Sequence, residues 1–312
     1  MPFNEGAIKV IAQVVRIFRG VLASEREVRV RLRADIEATI YDRPGLWMDD
    51  ARLAHLQDDI QCVARAAVPG DLRYGVLLRE RRPFENRLVV VGRRVDSGEV
   101  VGFNALPWLN VKVGGRSVTV MHMGLLIIHP AHQRQGLQGL LYGLGAFNAY
   151  HRSKERPLWI SNVTEVPAVF GAICDQLREP YPHYARRGPP DPAYRALAAA
   201  IVAQHRHEFG VGPEAGFDEE RFVITGSYTG GSDALKKVFE SAPRHRVEAC
   251  NEYCRAQLDY GRGDDFLQIA RMDATVITNW LTRRIPSQLR PALARQMKLW
   301  TYPASAARAE AS

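Results

Sequence analysis

Cysteine is scarce: Cys62, Cys174, Cys250 and Cys254 are the four in 312 residues, too few and too scattered for a disulfide scaffold. Reduced, buried thiols in a cytoplasmic protein are the simpler expectation. Cys250 and Cys254 stand one helical turn apart after His245, yet no second ligand pair follows at zinc spacing, so no metal site is expected. No apolar run approaches the ~20 residues that span a bilayer. The first five residues lack the basic, apolar and small-residue order of a signal peptide. A Walker-type glycine-lysine loop, a Rossmann glycine triplet and a Gly-x-Ser-x-Gly elbow are all missing. Aromatic residues do not interleave with basic ones, which counts against a platform for single-stranded nucleic acid.

The composition is that of a globular protein, with 46% hydrophobic and 24% charged residues. Lys and Arg outnumber Asp and Glu by 42 to 34, a net +8. That surplus favours phosphates, anionic lipid, nucleic acid or an acidic carrier protein without choosing among them. Residues 7–22 place Ile8, Ile11, Val14, Val15 and Phe18 on one helical stripe, with Lys9, Arg16 and Arg19 off it. This basic amphipathic helix suits docking on a protein first and peripheral contact with an anionic membrane second. Arg26, Arg29, Arg31 and Arg33 then alternate with Val28, Val30 and Leu32, a pattern open to strand or helix. Residues 50–67 carry Leu53, Leu56, Ile60 and Val63 at helical spacing before Pro69-Gly70. Residues 1–70 thus read as an N-terminal helical extension.

From residue 74 the period becomes extended, with strands expected over 74–79, 88–95, 100–106 and 118–129. Asp96-Ser97-Gly98 and Gly114-Gly115 are hairpin turns. Leu137, Leu140, Leu141, Leu144 and Phe147 then form a helical stripe, followed by a strand from 157 and a helix over 169–177. A meander feeding a β-α-β-α unit predicts an α+β fold with a mixed, mostly antiparallel sheet flanked by helices. Five prolines and glycines between 179 and 192 mark a boundary. Beyond it, 190–303 alternates helix and strand, which fits a diverged second copy of the core or a lid over an acceptor site.

The segment from Ile127 to Leu141 is the most informative. An apolar strand reaches Pro130, a polar loop follows, and a helix begins whose first turn holds Gly136 and Gly139 and no acidic side chain. Unpaired N–H groups and the positive end of the helix dipole seat a phosphate there. The glycines admit close approach, and Arg134 adds a cation.

This stretch resembles the acyl-CoA-binding motif of the GNAT superfamily of N-acetyltransferases, a V-x-P-like strand end followed by [Arg/Gln]-x-x-Gly-x-[Gly/Ala] at a helix start. Gln133 takes the first position and Gly136 the fourth. The order of elements over 71–180 is similar to that family as well. The resemblance implies that Gln133, Arg134, Gln135, Gly136, Leu137, Gln138 and Gly139 hold the diphosphate of acetyl-CoA or a longer acyl-CoA. It implies too that Leu126, Ile127 and Ile128 line its pantetheine. Gln138 departs from the pattern, which has Gly or Ala there. An acyl carrier protein, whose phosphopantetheine has one phosphate, would be less crowded by it, and the basic surplus suits such an acidic partner.

Acyl transfer to an amine needs a base for the nitrogen and an acid for the leaving thiolate. The family often places its base where His122 stands; a core histidine satisfied by backbone is the equal alternative. Asn162 resembles an asparagine that contacts cofactor or water, and Glu165 is a second candidate base. Capping is the rival role for Thr164 and Glu165, because Pro167 opens a helix. The tyrosine the family commonly presents on that helix is missing from Val169-Phe170-Gly171-Ala172, and Tyr181 is the nearest replacement. The function expected is an N-acyltransferase moving an acyl group to an amine of a small molecule or protein. Its rivals are a GNAT-like shell without catalysis and a basic protein of nucleic acid or membrane surfaces.

Overall fold

The structure, a computed structural model, describes residues 25–186, 188–228 and 232–282. Valine and isoleucine dominate the strands, as a pleated, half-buried surface requires. They are β1 (Glu27–Arg31), β2 (Ile36–Asp42), β3 (Arg87–Arg94), β4 (Val100–Val113), β5 (Arg116–His122) and β6 (Leu126–Ile128). After these come β7 (Leu158–Thr164), β8 (Arg178–Tyr181), β9 (Gly216–Asp218), β10 (Val223–Thr225) and β11 (Asp265–Met272). All eleven form one sheet in the order β1-β2-β3-β4-β5-β7-β11-β10-β9, with β6 on β4 and β8 on β11. Every pairing is antiparallel except β5 with β7. The Gly114-Gly115 turn joining β4 to β5 has φ 54° and 81°, the left-handed pair a two-residue hairpin needs.

Alternation along the strands assigns the helices to faces. Val89, Val91, Phe103 and Ala105 pack with α1 (Asp50–Ala67), and Leu109, Val111 and Val120 pack with α4 (Pro192–His205) on the same side. Leu88, Val90, Met121 and Ile160 pack on the other side with α2 (Leu137–Arg152) and with Ile277 of α6 (Ala274–Thr282). Phe266 and Val223 continue that second side against α3 (Pro167–Gln176) and α5 (Glu248–Gln257). The mixed, mostly antiparallel α+β architecture is as expected. Among the described residues no helix is long and apolar enough to cross a membrane.

Several elements differ from expectation. Residues 74–79 are no strand but a turn with a 3-10 segment, Gly75–Leu77, because Gly75 turns at φ 56° and β3 is already paired on both sides. The arginine-valine alternation is the hairpin β1–β2, so residues 27–42 extend the sheet instead of belonging to a helical extension. The basic helix expected over 7–22 lies outside the described residues. Within 190–303, the described strands β9, β10 and β11 join the same sheet, and β11 pairs along all of β7. The single strand expected over 118–129 is broken in two, and that break creates the site.

Candidate active site at the strand split

Residues 123–125 carry the chain from one neighbour to another. The Met123 N–H donates to the Ser161 carbonyl at 2.7 Å, the last tie to β7, and the Leu125 carbonyl accepts from Ala105 N at 2.9 Å. Gly124 permits the crossing: a Cβ there would lie 2.1 Å from the Ala105 carbonyl oxygen. β6 then follows β4 through Gly102, Phe103 and Asn104, while β7 continues beside β11 as far as Thr164. A wedge opens between β6 and β7, with a cavity reaching it from each face of the sheet.

The cavity on the side of α2 and α3 has a volume of about 600 Å³, within the range of sites for drug-sized ligands. Gly136, Gln138 and Gly139 line it from the start of α2, and Ala168, Val169 and Ala172 from α3. Trp280 of α6 forms its third wall, its Nε1 donating to the Gly139 carbonyl at 3.1 Å. The loop before α2 is held from both ends. Gln133 Nε2 donates to the Ile128 carbonyl at 3.2 Å, and the Arg33 guanidinium binds the Gln135 carbonyl. Gly136 caps the helix at φ 72° with no side-chain bond, so its first N–H groups have no side-chain cap. Arg134 and Gln138 are exposed, whereas Leu137, Ile127 and Ile128 are buried and Leu126 half-buried. Arg33, reaching this loop from the β1–β2 turn, could not be found from local sequence.

The cavity on the opposite side is smaller, about 250 Å³. Met123, Tyr142, Asn162 and Val169 line both. His122 is 2% exposed; its Nδ1 lies 3.0 Å from Ser161 Oγ and its ring stacks on Phe209. Burial, helped by the charge of Arg87, depresses its pKa to about 3. Glu165 is equally buried. Its Oε1 accepts the Lys237 backbone N–H, its carbonyl accepts from Tyr260, and Oε2 has no partner. Burial, against the smaller pull of Tyr228 and of the Lys236 and Lys237 charges, lifts its pKa to about 7. It does not cap α3: Val166 is the cap residue, and Thr164 Oγ1 accepts from Val166 N at 3.0 Å.

Asp265, at the start of β11, joins the same wall and was not foreseen. It is 3% exposed, and burial first, then the Glu165 charge, raises its pKa well above the usual range. Tyr228 approaches Asp265 Oδ1 at 3.5 Å. Arg87 and Glu208 form a buried ion pair across the cavity. Tyr142 was also missed; it donates to the Gly124 carbonyl at 2.9 Å, at the break itself. Asn162 Nδ2 donates to Gln268 Oε1 at 3.2 Å. Tyr181 is not brought to either cavity; its hydroxyl donates to the Glu220 carbonyl at 3.2 Å and its ring meets Phe222. Cys174, Cys250 and Cys254 are buried thiols and Cys62 is at the surface.

No family model and no curated protein matches the chain. Solved structures do. A nourseothricin acetyltransferase is 16% identical over 25% of this chain and 41% of its own length, with a TM-score of 0.19. The chain therefore spans less than half of that protein. The GNAT family N-acetyltransferase YhbS from Escherichia coli, in complex with CoA, is 17% identical over 46% of this chain and 69% of its own, with a TM-score of 0.30. A GNAT-like decarboxylase, GphF, in complex with isobutyryl-CoA, is 13% identical over 70% of this chain and 95% of its own, with a TM-score of 0.31. Identities and scores this low bear on no residue's role.

Proposed function

We propose that the protein transfers an acyl group from an acyl-CoA thioester to an amine, with the donor in the larger cavity and the acceptor in the smaller. The observation that carries this reading is the sharing of Met123, Tyr142, Asn162 and Val169 by two cavities on opposite faces of a split sheet. A thioester entering from one side and an amine from the other would meet at those residues, and their orientation supplies much of the rate. The uncapped N–H groups of α2, with Arg33 and Arg134 nearby, suit a diphosphate. The same seat would take the single phosphate of a carrier-bound phosphopantetheine.

The chemistry divides among three side chains. Glu165, near pKa 7, takes the proton of the incoming ammonium, because a base works best when its pKa lies near the working pH. The amine nitrogen then attacks the thioester carbonyl, forming the C–N bond and breaking the C–S bond. Tyr142, whose hydroxyl stands at the break, gives its proton to the departing thiolate and regains one from the acylated nitrogen, which sheds its second proton as the amide forms. His122 is a poor base at about pKa 3, and its role is to shape the wall as a neutral ring. Tyr181 lines neither cavity and is given no part in the step.

Calorimetric titration with acetyl-CoA and longer acyl-CoAs, followed by thiol release over a panel of amines, tests the reading. Donor binding with turnover supports it. Donor binding without turnover on any amine supports a shell that has kept its ligand and lost its reaction. Absence of donor binding ends both.

A further inference from the structure

The geometry points to a small organic monocation lacking a carboxylate, an alkylamine, as the ligand of the smaller cavity, its ammonium seated between the carboxyl groups of Glu165 and Asp265. This deepens the reading of that cavity as the acceptor site and rests on it. Two carboxyl groups buried in one cavity lining, with the charge of one felt by the other, are costly unless protonated or matched by a cation. One oxygen of Glu165 is buried, unpartnered and within the cavity lining. Of the other charges there, Arg87 is paired with Glu208, His122 is kept neutral, and Lys237 offsets one of the two remaining carboxylates. Glu165, Asp265 and Glu208 stand against Arg87 and Lys237 among the lining residues, which leaves one negative charge when all carboxyls ionise. One monovalent cation completes that balance.

Shape narrows the class. About 250 Å³ is the volume of roughly eight waters, so a short alkyl chain fits and a large polycation does not. Tyr74, Tyr228 and Phe209 line the same space, and aromatic faces favour an ammonium over a neutral group. An acceptor carrying its own carboxylate would add a negative charge to a wall whose one guanidinium already holds Glu208 and whose lysine already offsets one acid.

The carboxyl pair should give up a proton as the cation enters. From the N-terminal side the pair is faced by Tyr74, Arg87, His122 and Tyr142. From the C-terminal side it is faced by Glu208, Tyr228, Lys236, Lys237 and Tyr260, with Asp264 behind it held by Arg262. Glu165 titrates at about 7, and burial holds Asp265 well above the usual carboxylate range, so cation affinity rises with pH through 7.

Isothermal titration of the full chain without any CoA compares n-butylamine and choline with 4-aminobutyrate and n-butanol at pH 6 and pH 8. The two cations should bind at least tenfold tighter than the zwitterion and the alcohol. Their affinity should drop about tenfold per pH unit below 7, with one proton released per cation, read from buffers of different ionisation enthalpy. Asp265→Asn should weaken cation binding tenfold or more while leaving acyl-CoA binding in place; Tyr228→Phe gives a milder version should Asp265→Asn fail to fold. Equal or tighter binding of 4-aminobutyrate or n-butanol, or no effect of a folded Asp265→Asn, overturns the assignment. Choline cannot be acylated on nitrogen, so cation binding without acyl-CoA binding keeps this site and removes the transferase reading. Turnover with acidic amines alone does the reverse.

Discussion

A Cβ placed on Gly143 would fall 1.6 Å from Cε2 of Trp280. The indole of α6 therefore lies directly on the backbone of α2, in a slot that only glycine leaves open. Gly143→Ala should push the ring out and cost about 1–3 kcal/mol, the usual range for overpacking, read as a lower midpoint in denaturant and a red-shifted tryptophan emission. Trp280→Ala should remove most of that penalty, so the double variant should be less destabilised than the sum of the singles. Additive effects would place the two residues out of contact.

Glu165 and His122 push stability in opposite directions with pH. Glu165 is raised from 4.5 to about 7, so the native state holds more protons than the unfolded chain between those values, and its contribution falls as pH rises through them. His122 is lowered from 6.5 to about 3, so its contribution is present above 6.5 and is lost as pH falls toward 3. The two offset each other between 4.5 and 6.5. Glu165→Gln should remove the falling limb, worth about 3 kcal/mol at most across the window, leaving stability that climbs from pH 4.5 to 6.5. Chemical unfolding at half-unit pH steps checks the sign.

The parts of this fold that sequence announced are those decided locally. Helix α1 begins after Asp49, whose side chain accepts from Arg52 N at 2.8 Å, and it ends before Pro69-Gly70, both readable from residue type. The strand, loop and helix around Gln133 and Gly136 were equally legible, because a turn at positive φ asks for glycine in place. The break at 123–125 was not, since the apolar run through it reads as one continuous strand. Its cause is the Ala105 carbonyl, nineteen positions away on β4, which Gly124 must clear. Asp265 and Tyr228 reach Glu165 only because β11 inserts beside β7. Tyr142 stands off the apolar stripe of its own helix, where nothing in the local pattern marks it.

Gln138 should be an obstacle to the donor. It is exposed, lines the larger cavity and stands where the resembling motif has a small residue. Gln138→Ala should tighten acyl-CoA binding by about threefold to tenfold, roughly the ~1 kcal/mol of an unfavourable polar contact relieved. Gly136→Ala should weaken it instead, because φ 72° strains any side chain by about 1–2 kcal/mol and the loop would relax away from the helix start. Titration of both variants by calorimetry decides.

Tyr142→Phe and Tyr181→Phe separate the two tyrosines. The first should lower kcat by about 100-fold, the loss expected for one positioned proton donor, with donor affinity close to that of the parent. The second should leave kcat unchanged, since Tyr181 lines neither cavity. Progress curves of thiol release for the two variants measure the contrast.

The pairing of Thr164 with Phe266 joins positions about one hundred residues apart. A ribosome adding ~5–20 residues per second leaves β7 without that neighbour for roughly 5–20 s. Throughout that interval the nascent chain presents an unzipped, apolar flank and a cavity with one side still untranslated. Chaperone demand should therefore peak late in synthesis, and premature termination anywhere before Asp265 yields a polypeptide that is sticky and lacks a wall of the smaller cavity.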